Sequence, residues 1–452
     1  MSISDLKHTV KELKSGGMVM ILDTGAVINS ESEAMIQALH SRSTGGVKSH
    51  LETLSKKGPE NFMANFYVGY GHKSIGDCGS ITLFIEGVSM LAAKAIQDWP
   101  LYSGQEASTR YVDFSKQMFI DPVGTVESKE ILENWRQFYL KSREAVEDSL
   151  KKQFPIQAGE EEKIYNKAIS ARGFDILRGF LPAGASTNLA WHSNMRQVAD
   201  KLMLLRHHPL PELRDVADKL QQALLEKYPS SFGHQIFETS ENYNEQWMNE
   251  DYYFTHRAYA ATTLLHNGID KKSLKNFQKV LAGRPLKTDL PKIVAEAGTV
   301  QFGFMLDFGS FRDIQRHRAV IQRMPLLTTE HGFEQFYLDF LPDDVREKAK
   351  ELIVSQELKI EKLKLDPKIA QYYTAMGYNL PNQVRGDLPA LVYLVELRCT
   401  RFVHPTLQKR AIEMAKILEK EFGDCGLKIY LDKEPNRFDI KRGEHDIVMK
   451  PQ

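Results

Sequence analysis

Residues 311–329, FRDIQRHRAVIQRMPLLTT, place Arg316, His317 and Arg318 side by side, directly after the apolar stretch FGFMLDFGSF. An earlier segment, AKAIQDWPLYSGQEASTRY at 93–111, shares an Ile-Gln pair with it, at 96–97 and again 218 positions later at 314–315. An apolar stretch also precedes the earlier segment. A segment that recurs in this way predicts an internal duplication, which would give both halves the same fold.

A second pair of segments favours the same repeat. Residues 202–228, LMLLRHHPLPELRDVADKLQQALLEKY, resemble 394–422, LVELRCTRFVHPTLQKRAIEMAKILEKEF, when Arg206 is aligned with Arg398, 192 positions later. The alternative is that two amphipathic helices with similar endings look alike by chance. The polar stretch YPSSFGHQIFETSENYNEQ interrupts the periodicity near 230–245. We therefore predict two tandem domains, at 1–235 and 236–452.

Hydrophobic periodicity predicts an α+β fold that is helix-rich, with antiparallel sheets. GGMVMILD (16–23) and ITLFIEGVS (81–89) are short and rich in residues typical of strands. Helical periodicity is found in SESEAMIQALH (30–40), ENWRQFYLKSREAVEDSLKKQF (133–154), NMRQVADKLMLLR (194–206), LRDVADKLQQALLEKY (213–228) and HPTLQKRAIEMAKILEKEF (404–422).

Composition excludes several classes of protein. Hydrophobic residues make up 42% and charged residues 26%, which is typical of globular domains. Lys plus Arg equals Asp plus Glu at 59 each, so no net charge directs the chain to nucleic acid or an anionic membrane. Cys78, Cys399 and Cys425 have no metal-binding spacing, and no apolar run is long enough to span a bilayer. We therefore expect a cytoplasmic protein with no metal site and no nucleic-acid or membrane partner.

The chemistry of the second half centres on Arg316 and Arg318. Side chains two positions apart on a helix point in different directions, so the two guanidiniums can reach different anionic groups. A guanidinium favours planar partners such as phosphate or carboxylate, which it binds through two parallel hydrogen bonds. The alternative is a solvated basic helix face that also includes Arg312 and Arg323.

The first half carries a different segment, YSGQEASTRYVDF at 102–114. Its small residues, Ser103, Gly104 and Ser108, allow backbone N–H groups to approach a ligand closely. Glu106 and Arg110 are four apart, so they could pair with each other on a helix or could each bind part of a nucleotide. Upstream, His72 lies in the Gly-rich stretch GYGHKSIGD (69–77), which lacks a known phosphate-loop pattern.

Further polar residues follow in the stretch 171–206. Arg178 precedes a Leu-Pro-Ala-Gly-Ala turn, and Asn194 and Arg196 begin the next predicted helix. Arg206 ends the apolar run LMLL, and Arg398 ends LVEL. Burial of either charge would be costly without an anionic partner, which makes both arginines candidates for ligand binding.

Together these residues resemble the flavin-dependent thymidylate synthases, whose pattern is close to RHR-x-x-S-x-N-E-x-S-x-R-Y. Residues 316–318 match the RHR, but Leu326 stands where the second Ser is expected. SGQEASTRY at 103–111 matches the rest of the pattern, whereas Asp98-Trp99-Pro100 fill the RHR position. Gln105, Asp200 and Asp313 also depart from the usual residues. The pattern is thus present once, divided between the halves.

The resemblance implies an assembly like the family's homotetramer, in which the RHR and E-x-S-x-R-Y segments of one site come from different chains. After a duplication, each copy could lose what the other supplies. The chain would then form a homodimer that acts as a pseudo-tetramer.

The resemblance also implies residue roles. It assigns nucleotide binding to Glu106, Ala107, Ser108, Thr109, Arg110 and Arg178, flavin or folate binding to His72, Ser103, Gln105, Asn194, Arg196, Arg316, His317 and Arg318, and a catalytic contact with the pyrimidine to Arg398 or Arg206, with Arg316 also near the nucleotide. No protein nucleophile is implied.

The implied reaction is the transfer of a one-carbon unit from methylenetetrahydrofolate to deoxyuridylate (dUMP), with reduced FAD supplying hydride and NADPH reducing the flavin. Two alternatives stay open at this point. One is a flavin- and folate-dependent pyrimidine nucleotide hydroxymethylase, and the other is a non-catalytic nucleotide-binding scaffold.

Overall fold

The protein is analysed as a computed structural model that describes residues 8–22, 28–40, 46–69, 71–107, 112–256 and 258–432. The strands are β1 His8–Glu12, β2 Met18–Leu22, β3 Ser80–Ser89, β4 Ser103–Glu106, β5 Ser186–Asn194, β6 Tyr253–Phe254, β7 Thr263–Asn267, β8 Thr299–Asp307, β9 Ile321–Gln322, β10 Met324–Pro325 and β11 Asn379–Asp387. The predicted strands at 16–23 and 81–89 correspond to β2 and β3.

Helices dominate the rest of the described chain. They are α1 Ser30–His40, α2 Gly46–Lys57, α3 Glu60–Phe62, α4 Lys73–Gly76, α5 Met90–Gln97, α6 Val126–Gln153, α7 Glu162–Leu177, α8 Met195–Leu205, α9 Pro211–Lys227, α10 Glu238–Glu250, α11 Lys271–Lys275, α12 Gln278–Gly283, α13 Phe308–Ile314, α14 Gln335–Asp339, α15 Asp343–Lys362, α16 Pro367–Ala370, α17 Leu388–Arg398 and α18 Pro405–Phe422. A π-helix spans Met63–Gly69, and 3₁₀ turns span Arg178–Phe180, Lys292–Ala297, Gln371–Tyr373 and Gly423–Cys425. The predicted helix-rich α+β class is confirmed.

The described residues divide into two compact units. Unit 1 lies within Met1–Asp113, Gln117–Pro122 and Ala185–Tyr252, and unit 2 within Phe114–Lys116, Val123–Gly184 and Tyr253–Gln452. The units therefore interleave along the chain, because α6 and α7 belong to unit 2. The division of the chain at residue 235 stays a prediction about the sequence repeat, and it does not describe these compact units.

Unit 1 is built on an antiparallel sheet with strand order β1-β2-β3-β5-β4. The central strand β3 alternates, so that Ile81, Leu83 and Ile85 are buried while the residues between them are more exposed. The amphipathic helix α9 packs against β1 and β2 and covers the apolar face at that side.

Unit 2 contains an antiparallel sheet with strand order β7-β8-β11-β9. The two-residue strands β6 and β10 form a separate parallel pair. Helix α18 packs on β8, while α6 packs with α7 and α15. Tyr372, Tyr373 and Tyr378 are fully buried in this unit, next to the start of β11.

Two pairs of helix caps have spacings close to those of the predicted repeat. Strands β3 and β8 each run into a helix whose first N–H groups are capped by the last strand residue, Ser89 or Asp307, 218 positions apart. Asn194 and Asp387 cap α8 and α17 in the same way after nine-residue strands. These caps are 193 positions apart. They favour an offset that aligns Leu205 with Arg398, one residue away from the predicted alignment of Arg206 with Arg398.

Within the part of the chain that the structure describes, no helix is both long enough and apolar enough to cross a membrane.

Candidate functional site

An arginine cluster in unit 2 surrounds the carboxyl group of Asp313, which lies on the last turn of α13. Burial raises the pKa of Asp313, but the guanidiniums of Arg316, Arg178, Arg398 and Arg312 outweigh burial and lower it. Arg316 Nη2 lies 3.7 Å from Asp313 Oδ1, and Arg398 Nη2 donates to the Asp313 carbonyl at 2.7 Å. Three distant parts of the sequence thus bring positive charge to one carboxylate.

His317, the middle residue of the RHR segment, is buried and held by Arg398. Arg398 Nε donates to His317 Nε2 at 2.8 Å. Because a guanidinium can only donate, Nε2 must be the acceptor and the ring proton lies on Nδ1. Burial, followed by the charge of Arg398, lowers the pKa of His317 to about 3. His317 is therefore neutral, while its neighbours Arg316 and Arg318 are exposed.

Arg178 lies against the same cluster at the 3₁₀ turn that follows α7. It is 6% exposed, and its Nη2 donates to Ser310 Oγ at 3.2 Å. Burial by itself lowers the pKa of Arg178, but the neighbouring Tyr337 and carboxylates that include Asp175 raise it overall, so the side chain is charged. Its buried Nε has no hydrogen-bond partner, which leaves one N–H of this arginine for a ligand.

A buried polar network behind Arg178 fixes its position. Ser310 Oγ lies 2.7 Å from Thr406 Oγ1, which donates to Asp307 Oδ1 at 2.6 Å. Tyr337 donates to the other oxygen of Asp307, also at 2.6 Å. A network in which each member is paired holds its side chains in one arrangement.

In unit 1, Glu106 is buried at the end of the edge strand β4. Its carboxylate accepts from Lys94 Nζ at 2.7 Å and from Gln97 Nε2 at 3.0 Å. The Lys94 and Glu106 side chains are 0% and 3% exposed, so this is a buried ion pair. Glu106 therefore pairs with a lysine that sequence reasoning missed.

The other residues predicted on this strand are more exposed. Ser103 and Gln105 are exposed on β4, opposite His192 and Ala190 of β5. The Ala107 N–H donates to the Asn188 carbonyl at 2.8 Å, so it continues the sheet and is not left for a phosphate. The predicted ligands Ser108, Thr109 and Arg110 lie outside the described residues.

A cavity of about 840 Å³ in unit 1 is lined by Arg196, predicted to bind the cofactor, and by Arg206, predicted as an alternative contact with the pyrimidine. Arg196 Nε donates to Asp77 Oδ1 at 2.7 Å, and Arg206 is paired with Glu241. Asn194 uses its Oδ1 to cap α8, accepting from the Gln197 N–H at 2.9 Å. His72 is exposed at the N-terminus of α4, next to the cavity residue Lys73.

In unit 1, Asp98 and Trp99 at the RHR position contact the buried side chain of Lys201. Lys201 Nζ donates to the Asp98 carbonyl at 2.8 Å and lies 5.7 Å from the centre of the Trp99 ring. Burial lowers the pKa of Lys201 to about 8, against an opposing effect of Asp98. Asp98 in the RHR position is the one signal of this contact in the sequence, and nothing there identifies Lys201 as its partner.

The site chemistry is that of anion binding. Among the residues that the structure describes, no group of three or more His, Cys, Asp or Glu side chains could hold a metal ion. The arginine cluster instead offers exposed guanidiniums and one buried N–H in a fixed frame. Guanidiniums in that setting suit phosphate or carboxylate groups.

Comparison with known proteins defines the class. Residues 27–230 match the family described as thymidylate synthase complementing protein. The predicted resemblance to this family is confirmed for this part of the chain.

Relatives span most of the chain. A UPF0159 protein of Chlamydia pneumoniae is 26% identical and covers 74% of each chain, and one of Chlamydia muridarum is 26% identical over 77% of this chain and 76% of its own. A UPF0159 protein of Thermoplasma acidophilum is 23% identical over 87% of this chain and 92% of its own. These names state no activity.

Proposed function

We propose that the protein is a flavin-dependent enzyme of the thymidylate synthase type, which transfers a one-carbon unit from methylenetetrahydrofolate to dUMP. The observation that carries this proposal is the convergence of Arg178, the 316–318 segment and Arg398 on Asp313. These residues come from three separate stretches. The match of residues 27–230 to the family described as thymidylate synthase complementing protein supports the same reaction class.

The arginine cluster suits an anionic, planar cofactor or substrate. Arg316 and Arg318 are exposed, and the buried Nε of Arg178 has no hydrogen-bond partner. An anion that accepts from Arg178 and Arg316 would remove one unmet buried donor and gain charge-assisted hydrogen bonds. In this proposal FAD is held by the 316–318 segment, and the nucleotide phosphate by Arg178.

His317 and Arg398 would act through fixed hydrogen bonds. Because His317 accepts from Arg398, its Nδ1–H can donate to a ligand while the guanidinium of Arg398 keeps its orientation. A positive group that is already oriented stabilises negative charge that develops on the pyrimidine ring. The flavin, reduced by NADPH, supplies the hydride when it is bound.

The divided pattern extends the proposal to a tandem duplication and a homodimer. Unit 1 retains the acidic residue Glu106 that begins the E-x-S-x-R-Y segment, whereas unit 2 retains the arginines of the RHR. The matching caps at Ser89 and Asp307, and at Asn194 and Asp387, support the duplication. A homodimer would provide each site with both segments and would act as a pseudo-tetramer.

One observation favours a second candidate, a non-catalytic nucleotide-binding scaffold. Asp313 already partly neutralises the arginine cluster, and it stands where the resemblance expects Gln. A ligand anion must therefore compete with an internal carboxylate, which weakens binding. A hydroxymethylase would have the same binding site and would differ only in its product.

The test is binding of FAD and dUMP by the purified protein, followed by analysis of the product from labelled methylenetetrahydrofolate. Arg316→Ala should weaken FAD binding by roughly 10- to 100-fold, as expected for the loss of one charge-assisted hydrogen bond. Arg143→Ala is the matched control, because the two side chains are 56% and 51% exposed.

The outcomes separate the candidates. Thymidylate as product supports the synthase, and a hydroxymethylated nucleotide supports the alternative reaction. Ligand binding without turnover supports the scaffold. A wild-type protein that binds neither FAD nor dUMP contradicts all of them.

A further inference from the structure

The cavity of unit 1 has the size of a small-molecule site and a mixed lining. Its volume of about 840 Å³ lies in the range of pockets that enclose small ligands. The basic residues Lys73, Arg196 and Arg206 line it. The segment that precedes α10, together with the first turns of that helix, adds large apolar side chains and also Glu241.

Among the polar residues of the lining, Glu241 bridges two residues that are neighbours in the chain. One carboxylate oxygen accepts from Arg206 Nη2, and the other lies 2.7 Å from His207 Nε2. Although burial raises the pKa of Glu241, the hydrogen bonds from Arg206 and His207 lower it overall. The buried Nε of Arg206 has no hydrogen-bond partner in this arrangement. Glu241 thus uses one edge of the guanidinium and leaves a second donor unmet.

The large apolar residues of the lining are more exposed than is usual in a folded chain. Ile236, Phe237 and Tyr243 line the cavity and are 65%, 57% and 68% exposed. Large apolar side chains gathered at one cavity indicate a surface that a ligand covers. The helix caps at Asn194 and Asp387 align Leu205, and not Arg206, with Arg398, which favours a separate role for Arg206.

We propose that this cavity is a binding site for an aromatic carboxylate, and that Glu241 occupies the carboxylate position on Arg206 and His207 when no ligand is bound. Glu241 already places a carboxylate on Arg206 and His207, so a ligand carboxylate can take the same place with the same contacts. The aromatic body of the ligand packs against Ile236 and Phe237. The site does not depend on the proposed flavin chemistry.

The experiment is a titration of the full-length protein with 2-naphthoate, followed by the ligand's fluorescence. Glu241→Gln should tighten binding by about tenfold, because a neutral amide competes less well than a carboxylate for the charged guanidinium. Glu245→Gln is the matched control, since it makes the same charge change one turn further along α10 on an exposed residue. Arg206→Gln should abolish measurable binding.

Further ligands test the chemical class. Acetate lacks the aromatic body and inorganic phosphate has the wrong anion, so both should bind more weakly than 2-naphthoate. Equal affinity for phosphate and 2-naphthoate would overturn the assignment to aromatic carboxylates.

The variants test the part played by Glu241. Equal affinity of wild type and Glu241→Gln for 2-naphthoate, with both folded by circular dichroism, would show that Glu241 does not compete with the ligand for Arg206. Retained binding in Arg206→Gln would remove the site from this cavity. If Glu241→Gln does not fold, Glu241→Asp provides the same comparison, because its shorter side chain should bridge less well and bind the ligand more tightly than wild type.

Discussion

The turn after α5 in unit 1 and the turn after α13 in unit 2 follow similar helices but carry different charged residues. Each follows a capped helix with an Ile-Gln pair at its C-terminal end; Gln97 is the last residue of α5, and Gln315 directly follows α13. In unit 2 the next residues are Arg316-His317-Arg318, and both arginines are exposed. In unit 1 they are Asp98-Trp99-Pro100, and Lys201 packs on them. One turn leaves positive charge available for a ligand, while the other satisfies its charges internally.

The residues around the two turns differ in a complementary way. Lys94 of unit 1 pairs with Glu106, whereas the corresponding positions in unit 2 are Arg312 and the buried Met324. The acidic partner therefore remains in the first half and the arginines in the second. A ligand that needs both kinds of residue cannot obtain them from a single turn, which is the physical basis of the proposed homodimer.

The largest expected effect comes from breaking the ion pair that only unit 1 contains. Glu106→Ala leaves Lys94 buried without its carboxylate, and loss of one partner of a buried pair costs about 3–5 kcal/mol. The measurement is the free energy of unfolding in urea. The double variant Lys94→Met/Glu106→Leu removes both charges and should lie close to wild type. A double variant as unstable as Glu106→Ala would show that side-chain packing, and not the charge, matters at this position.

Hydrophobic periodicity predicted much of this fold. Strands β2 and β3 and helices α1, α8, α9 and α18 were found because one face of each is buried, and burial leaves a period of 2 or 3.6 in the sequence. The RHR segment and Arg398 were found for a different reason, since charge beside an apolar run needs a partner.

The other features of the fold and the site depend on contacts between distant residues, which no local sequence pattern indicates. Helices α6 and α7 have the same periodicity whichever unit they pack in, so their place in unit 2 was not predictable. The buried partners Lys94 and Lys201 look like ordinary helical lysines in the sequence. Arg206 was aligned with Arg398 because both are arginines, although the caps at Asn194 and Asp387 set the register.

A second prediction uses the acid sensitivity that His317 gives to unit 2. Its pKa is about 3 in the folded protein, against an ordinary value of 6.5. Between these values the unfolded chain binds a proton that the folded protein does not, so stability rises with pH and falls as the solution is acidified below 6.5. At pH 5 the loss should be about 2 kcal/mol relative to pH 7.

His317→Gln should remove this loss, because the amide oxygen can still accept from Arg398 but cannot be protonated. The measurement is the unfolding midpoint in urea at pH 7 and pH 5. His266→Gln, an exposed histidine on β7, is the control and should keep the wild-type pH dependence. An equal midpoint shift in wild type and His317→Gln would contradict the neutral state of the buried ring.

The smallest effect is expected at Trp99, the residue of unit 1 that corresponds to His317. Trp99 Nε1 donates to Gln197 Oε1 at 2.8 Å, and Gln197 is buried. Trp99→Phe keeps an aromatic ring beside Lys201 but leaves that oxygen without its donor, which should cost about 1 kcal/mol in unfolding free energy. Adding Gln197→Leu removes the unmatched acceptor and should recover part of the loss. If Trp99→Phe alone leaves the unfolding free energy unchanged, apolar packing holds the unit 1 turn and the hydrogen bond to Gln197 does not. The two turns would then differ only in the charge that they carry.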